Sequence, residues 1–244
     1  MNRINVSLVS YFNSSPFLIG LHETEIAKHI SLSLDIPAVC AAKLQTGKAD
    51  IGLIPIAALS DLPSYSLFSD YCIGADGEVN SVFIFSQTPI QEIKTLYLDP
   101  ESRTSNKLAA LLCKDYWKID PVYKNISENF SEELKHGEGF IQIGDRTFGK
   151  KMQFEYHYDL AFYWKELTGL PFVFAVWAST KPLEKEFVQL FNNAMEFGLS
   201  KRKKIITQLP KIEGFDHSAY LFQNIKYDFG EKQKEAMTLF LDKV

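Results

Sequence analysis

Apolar and polar residues follow one another in short segments that predict strands and helices in succession. Residues 4 to 10 alternate as a strand, and Leu32 to Ile36 read as a second strand. Pro37 then begins a helix that runs to Gly47, because proline suits a first helical position and glycine suits the position after a helix. The run Ile51 to Ile56 has the uninterrupted apolar character of a strand buried on both faces. These segments predict an initial α/β unit.

The pattern after residue 60 predicts a second series of elements. Residues 69 to 86 read as two strands around Asp76-Gly77, a dipeptide typical of hairpin turns, so a β-hairpin is predicted there. From Pro89 the strings IKTLYL, PVYKN and FIQIG read as strands, with helices predicted over 104–116, 131–136 and 159–168. The apolar strand PFVFAVWAS follows, and the chain from Leu183 onward is predicted to be helical. This alternation indicates a mostly parallel sheet with helices on its faces.

The order of these elements predicts two lobes. An initial α/β block, an inner α/β block and a helical tail fit a chain that leaves its first lobe and later returns to it. We place the crossovers near residues 86–89 and 176–180, so that residues 1–87 and 178–244 form lobe one and residues 88–177 form lobe two. Two lobes joined by two crossovers enclose a cleft that can close on a ligand by hinge motion.

Composition and charge narrow the classes of function. The 244 residues are 46% hydrophobic, which is enough for a substantial core. A net charge of -4 argues against a nucleic-acid binder, and the basic run of residues 201–204 is interpreted as a solvated helix face. No apolar stretch approaches the ~20 residues of a membrane-spanning helix, and the N-terminus lacks the pattern of a signal peptide. We therefore expect a cytoplasmic protein that binds neither nucleic acid nor membrane.

The sequence carries no common metal, cofactor or hydrolase motif. Cys40, Cys72 and Cys113 are widely spaced and are expected to be buried free thiols. The five histidines show no zinc-binding spacing, so no metal site is predicted. The motifs G-x-S-x-G, G-x-G-x-x-G and the P-loop do not occur, which argues against the corresponding hydrolases and nucleotide-binding proteins.

Polar residues at predicted strand ends are the candidates for a binding site, since the ligand crevice of an open parallel sheet lies there. The string YLDPESRTSNKL places four such residues where the next helix begins: Ser102, Arg103, Thr104 and Ser105. Helix N–H groups, hydroxyls and a guanidinium group together would bind an anion. Ordinary N-capping by Ser102 or Thr104 explains the same residues equally well.

Two further loops follow predicted strands. SYFNSSPF puts Asn13 after the first strand, where an asparagine commonly serves only to form a turn. IGDRTF puts Gly144, Asp145 and Arg146 after the strand over 140–143. A simple ion pair between Asp145 and Arg146 is the alternative to a role in binding.

Several long strings carry a resemblance to a known family. They are, in order, SYFNSSPF, GKADIGLIPIAAL, DYCIGADGEVNSVFIFS, YLDPESRTSNKL, IGDRTF and TGLPFVFAVW. Over about residues 4 to 200 the chain strongly resembles the chorismate dehydratase family. The resemblance implies a fold like that of type 2 periplasmic binding proteins. It also implies a lyase of the futalosine route to menaquinone, which converts chorismate to 3-[(1-carboxyvinyl)oxy]benzoate and water without a cofactor.

The same resemblance implies residue roles. Asn13 stands at the position of the family's active-site asparagine, and Ser81 lies in the strand that approaches the cleft. The sequence departs from the family pattern at two places, and both departures leave Asn13 and Ser81 in place. It has SSPF where relatives often have a Thr and a Pro-Leu ending, and it has Thr147 where an alanine is frequent. Because chorismate is a dianion, residues 102–105 are predicted to bind it, and Gly144 and Asp145 are predicted to lie beside it.

Alternatives remain open at this point. A solute-binding protein for a small carboxylate shares the expected fold, and fold does not decide function. The related dihydroxynaphthoate-forming enzyme of the same pathway is another candidate, although GADGEVNSV and PESRTS resemble the dehydratase more closely. The expected mechanism is a substrate-assisted elimination with Asn13 as an orienting group, and a role of Asp145 in proton transfer is left open. The oligomeric state is also left open, a homodimer included.

Overall fold

The computed structural model describes residues 3–127 and 130–244. Eleven strands are found in these ranges: β1 (Ile4–Val9), β2 (Ile30–Asp35), β3 (Ile51–Pro55), β4 (Ser66–Ala75), β5 (Val82–Ser86), β6 (Thr95–Leu98), β7 (Val122–Asn125), β8 (Glu138–Ile143), β9 (Tyr156–Asp159), β10 (Phe172–Ser179) and β11 (Ile225–Asp228). The α-helices are α1 (Ser15–Glu23), α2 (Pro37–Gln45), α3 (Arg103–Leu112), α4 (Leu160–Thr168), α5 (Lys185–Ser200), α6 (Arg202–Thr207), α7 (His217–Ala219) and α8 (Glu231–Lys243). None of the helices in these ranges is long and apolar enough to cross a membrane.

The first sheet has six strands in the order β11-β4-β10-β3-β1-β2. β1 runs parallel to β2 and β3, whereas β10 is antiparallel to β3 and β4. Helices α1 and α5 pack so closely that a Cβ on Gly198 would lie 1.8 Å from the carbonyl oxygen of Pro16. Glycine at position 198 therefore lets α5 hold α1 in place, and α1 begins directly after Asn13 and Ser14.

The second sheet has five strands in the order β7-β6-β8-β5-β9. β6 is parallel to β7 and β8, and β5 is antiparallel to β8 and β9. The expectation of a mostly parallel sheet is therefore wrong, because both sheets are mixed. The antiparallel strands β5 and β10 are those that directly follow the crossings between the sheets.

Strand pairing corrects the predicted crossovers. The predicted hairpin around Asp76-Gly77 does not form, because β4 pairs with β10 and β11 whereas β5 pairs with β8 and β9. Residues 76–81 instead cross from the first sheet to the second, with Gly77 and Asn80 at positive φ. The return crossing lies before β10, not at 176–180. The sheet membership of two strands therefore differs from the predicted lobe boundaries at 87 and 178. β5 belongs to the second sheet and β10 belongs to the first.

Three smaller predictions differ from the structure. The helix predicted over 104–116 begins at Arg103 and ends at Leu112, and a π-helical turn covers Cys113–Trp117. Residues 131–136 form no helix, and the C-terminal part contains the strand β11 besides its helices. The prediction of buried free thiols is confirmed for Cys40, Cys72 and Cys113.

Candidate active site

A cavity lies where strand ends of both sheets meet. The empty space around it, open solvent at its mouth included, is about 570 Å³. The lining comes from β1, β3, β4, β8 and β10 or the residues that follow them, from the 76–81 crossover, and from the starts of α2, β5 and α3. These residues are Val9, Tyr11, Asn13, Pro37, Leu53, Pro55, Ile73, Val79, Ser81, Val82, Ser102, Thr104, Ser105, Ile143, Gly144, Phe174 and Ala175.

The structure brings most of the predicted site residues together. Those that line the cavity are Asn13, Ser81, Ser102, Thr104, Ser105 and Gly144. Arg103 and Asp145 do not line it. The stretches after three different strands thus converge on one cavity, although they are far apart in the sequence.

The start of α3 forms one wall of the cavity. Ser102 is the N-cap residue, and its Oγ accepts a hydrogen bond from the backbone N–H of Ser105 at 3.0 Å. Thr104 Oγ1 accepts a bond from the backbone N–H of Ala57 at 3.2 Å and so joins the two lobes. Ser102 therefore caps α3, as considered from the sequence, and it also lines the cavity. N–H groups in the first turn of a helix have no intrahelical acceptor and can bind a ligand.

Arg103, which the sequence placed in an anion site, points away from the cavity in this structure. Its guanidinium group pairs with the carboxylate of Asp61, and its side chain is 59% exposed. Successive helical residues point about 100° apart, so the neighbours of two cavity-lining residues need not face the cavity. The anion-binding capacity of this stretch therefore rests on hydroxyls and N–H groups.

Asp145 and Arg146 each have partners other than one another. Both carboxylate oxygens of Asp145 lie 3.0 Å from the backbone nitrogen of Phe12, which donates to them. Arg146 donates to the carboxylate of Asp99 at 2.8 Å and also pairs with Glu101. Burial raises the pKa of Asp145, and the hydrogen bond from Phe12 acts in the opposite direction. Asp145 therefore connects the two lobes beside the cavity.

Tyr11 and Gly144 form a further part of the wall. Gly144 has φ +67°, and a Cβ there would lie 3.0 Å from the ring of Tyr11, so only glycine fits without strain. The Tyr11 hydroxyl donates to the carboxylate of Glu101. Burial raises the pKa of Tyr11, and the hydrogen bond to Glu101 raises it further. Tyr11 was not predicted as a site residue, although it lies only two residues before Asn13.

Two tyrosines from the C-terminal part support the predicted site residues. The hydroxyl of Tyr220 donates to Oγ of Ser81 at 2.9 Å. The hydroxyl of Tyr227 donates to the backbone oxygen of Asn13 at 2.8 Å. Both tyrosines are buried, and nothing in the local sequence pattern indicated that they approach the site.

The lining combines apolar side chains with several hydroxyls and one amide, and it is almost free of ionisable groups. Within the described residues it contains no Asp, Glu, His, Lys or Arg, and Tyr11 is its one titratable side chain. Hydroxyls, the Asn13 amide and helix N–H groups can hold and orient a small anion. No residue of this lining is a conventional general base.

Comparison with known proteins identifies the family. A family model described as menaquinone biosynthesis matches residues 4–244. The chain belongs to this menaquinone-biosynthesis family. It is similar to the chorismate dehydratase of Thermus thermophilus, with 28% identity over 194 residues, which cover 70% of this chain and 69% of the relative. The resemblance to chorismate dehydratases found in the sequence is thereby confirmed.

Solved structures show the fold of this family member. A protein of Archaeoglobus fulgidus superposes with a TM-score of 0.72 at 14% identity, covering 99% of this chain and 96% of the other. A Candida albicans protein described as having the generic periplasmic binding protein fold gives a TM-score of 0.63 at 10% identity, with coverages of 98% and 90%. At such identities the likeness concerns the fold alone. It confirms the predicted two-lobed, periplasmic-binding-protein-like fold.

Proposed function

We propose that this protein is a chorismate dehydratase, a cytoplasmic carbon–oxygen lyase that converts chorismate to 3-[(1-carboxyvinyl)oxy]benzoate and water on the futalosine route to menaquinone. Membership of the menaquinone-biosynthesis family and similarity to a chorismate dehydratase support the proposal. The observation that carries it is the cavity itself. Asn13, Ser81 and the start of α3 meet around it, and its lining offers no conventional base in the described residues.

The donors in the wall support the proposed binding of the substrate's two carboxylates. The N-terminus of α3 carries a partial positive charge, and Ser102, Thr104 and Ser105 add hydroxyls beside it. A protein with a net charge of -4 can in this way bind a dianion through local dipoles instead of overall charge. The apolar residues Ile73, Val79 and Phe174 surround the remaining space and suit a carbon ring.

The proposed mechanism is an elimination assisted by the substrate. The departing proton lies on the ring carbon that bears the enolpyruvyl ether, and its removal gives an anion conjugated with the ring carboxylate. Loss of the neighbouring hydroxyl group, which leaves with a proton as water, then forms the benzene ring. Because the lining offers no carboxylate or imidazole in the described residues, the enolpyruvyl carboxylate of chorismate is the proposed proton acceptor.

The protein's contribution is then orientation and charge stabilisation. Asn13 and Ser81 would hold the enolpyruvyl group and the leaving hydroxyl by hydrogen bonds, which is a large effect when the reacting groups are held at contact distance. Donors at the start of α3 would stabilise the charge that develops on the ring carboxylate. Asp145 would contribute indirectly, through its bond to Phe12 beside Asn13.

Incubation of the purified protein with chorismate tests the proposal. We expect an aromatic ultraviolet absorption to appear, and we expect chelators and added nucleotide cofactors to leave the rate unchanged. Tight binding without conversion would instead favour a solute-binding protein. Conversion of cyclic futalosine but not of chorismate would identify the dihydroxynaphthoate-forming enzyme.

A further inference from the structure

Tyr220 links the C-terminal part of the chain to the wall of the cavity. It begins the π-helical turn Tyr220–Asn224, which follows α7 directly. Its side chain is fully buried, and its hydroxyl donates to Ser81 Oγ at 2.9 Å. Ser81 lies at the end of the 76–81 crossover and lines the cavity. One hydrogen bond therefore joins an otherwise unassigned tyrosine to a predicted substrate-binding residue.

The ring of Tyr220 is held on several sides. Phe12 stacks on it with ring centroids 6.0 Å apart and an angle of 19°. Phe148 and Phe215 contact it with centroids 5.3 and 5.2 Å away. Since the ring is held by aromatic neighbours, the position of its hydroxyl is defined before any ligand binds.

The direction of this hydrogen bond determines what Ser81 offers to a ligand. A serine hydroxyl has one hydrogen to donate and two lone pairs to accept. Tyr220 occupies an accepting position, and no described residue accepts the hydrogen of Ser81. That hydrogen is consequently free to point into the cavity that Ser81 lines.

The Tyr220 hydroxyl stays protonated at neutral pH. Burial raises the pKa of Tyr220, and hydrogen bonding acts in the opposite direction. The tyrosine therefore remains protonated at neutral pH and remains a donor.

On the basis of the proposed function, we propose that Tyr220 is a positioning residue for the dehydration. By donating to Ser81 Oγ it directs the Ser81 hydrogen into the cavity, where Ser81 donates to an oxygen of bound chorismate. Tyr220 itself does not line the cavity, so it acts through Ser81. Because the Ser81 hydroxyl accepts a hydrogen bond from Tyr220, it is polarised and donates a stronger bond to the substrate.

A double-mutant cycle tests this proposal. The variants are Tyr220→Phe, Ser81→Ala and the double variant, each assayed for kcat and KM with chorismate. We expect Tyr220→Phe to lower kcat about tenfold with a smaller change in KM, as for the loss of one hydrogen bond. In the Ser81→Ala background the same change should alter kcat less than about twofold, because the partner through which Tyr220 acts is absent. Tyr158→Phe is the matched control, since its hydroxyl accepts from the Ile90 N–H outside the cavity.

Melting temperatures provide a measurement that does not depend on activity. The double variant should melt no lower than Ser81→Ala, because in that variant the Tyr220 hydroxyl has lost its acceptor on Ser81. This comparison remains possible if Tyr220→Phe alone folds poorly.

Two results would overturn the positioning role. One is an unchanged kcat in Tyr220→Phe, and the other is an equal loss of kcat with and without Ser81. A wild-type protein that leaves chorismate unchanged would instead refute the proposed function, so the two failures are distinguishable.

Discussion

The carboxylate of Asp145 and the backbone N–H of Phe12 form a hydrogen bond of 3.0 Å between the two lobes. Asp145 follows β8 of the second sheet, and Phe12 follows β1 of the first sheet. Phe12 directly precedes Asn13, so this bond fixes the loop that carries the predicted orienting amide. Asp145 thus lies next to the site without facing its cavity, which makes its chemical role testable.

Replacement of Asp145 should separate a supporting role from a catalytic one. Asp145→Asn keeps a carbonyl oxygen that can accept from Phe12, so we expect kcat for chorismate to stay within about tenfold of wild type. Asp145→Ala removes the acceptor and leaves a buried N–H group unpaired, and it should lower kcat about ten- to a hundredfold. Steady-state kinetics with chorismate measure both. An Asp145→Asn variant that binds chorismate but is wholly inactive would make Asp145 the general base.

Asn13 should be needed for turnover and not for folding. We expect Asn13→Ala to lower kcat by about a hundredfold or more, because the loss of an orienting group affects the reacting geometry directly. Its far-ultraviolet circular dichroism should match that of the wild type. Asn193→Ala, at an exposed position of α5, is the matched control and should retain full activity. A modest loss of kcat with a large rise in KM would show that Asn13 contributes to binding only.

Residues 102–105 should contribute unequally to substrate binding. Arg103 forms an exposed ion pair with Asp61, and such pairs contribute about 0–1 kcal/mol, so Arg103→Ala should change KM less than about threefold. The double replacement of Ser102 and Ser105 by alanine should raise KM about tenfold or more, since it removes two hydroxyls from the wall. If both changes raise KM equally, the guanidinium group of Arg103 also belongs to the anion site. Titration with chorismate by calorimetry provides an independent measure of affinity.

The candidate site was predictable where a residue lies in the loop that follows a strand. Asn13 and Gly144 are such residues, and the start of α3 is marked by its own hydroxyl residues. Local sequence could not reveal that β5 leaves the first sheet, because an Asp-Gly turn signal is the same whether the next strand pairs back or crosses over. Tyr220 could not be found either, since its partner Ser81 lies 139 positions away. Pairings over such distances depend on how the lobes pack.

The pH dependence of the unfolding free energy should report the protonation of Asp159. The carboxylate of this residue holds the crossover that leads to Ser81. Its carboxylate accepts from the backbone N–H groups of Asn80 at 2.7 Å and Val79 at 3.2 Å, and it also caps α4. Burial raises the pKa of Asp159 to about 6, although the hydrogen bonds from the backbone amides act in the opposite direction. Asp159 is therefore expected to bind a proton more readily in the folded protein than in the unfolded chain.

The sign of the effect follows from this difference. A carboxyl group with a raised pKa stabilises the fold most below its unfolded pKa of about 4, and this contribution is lost as the pH rises through about 6. Relative to Asp159→Asn, which cannot titrate, the wild type should therefore lose up to roughly 3 kcal/mol of unfolding free energy between pH 4 and pH 7. Urea denaturation of both proteins across this range measures the difference. The opposite result is a wild type that becomes more stable than Asp159→Asn as the pH rises. It would mean that the amide donors lower the pKa of Asp159 more than burial raises it.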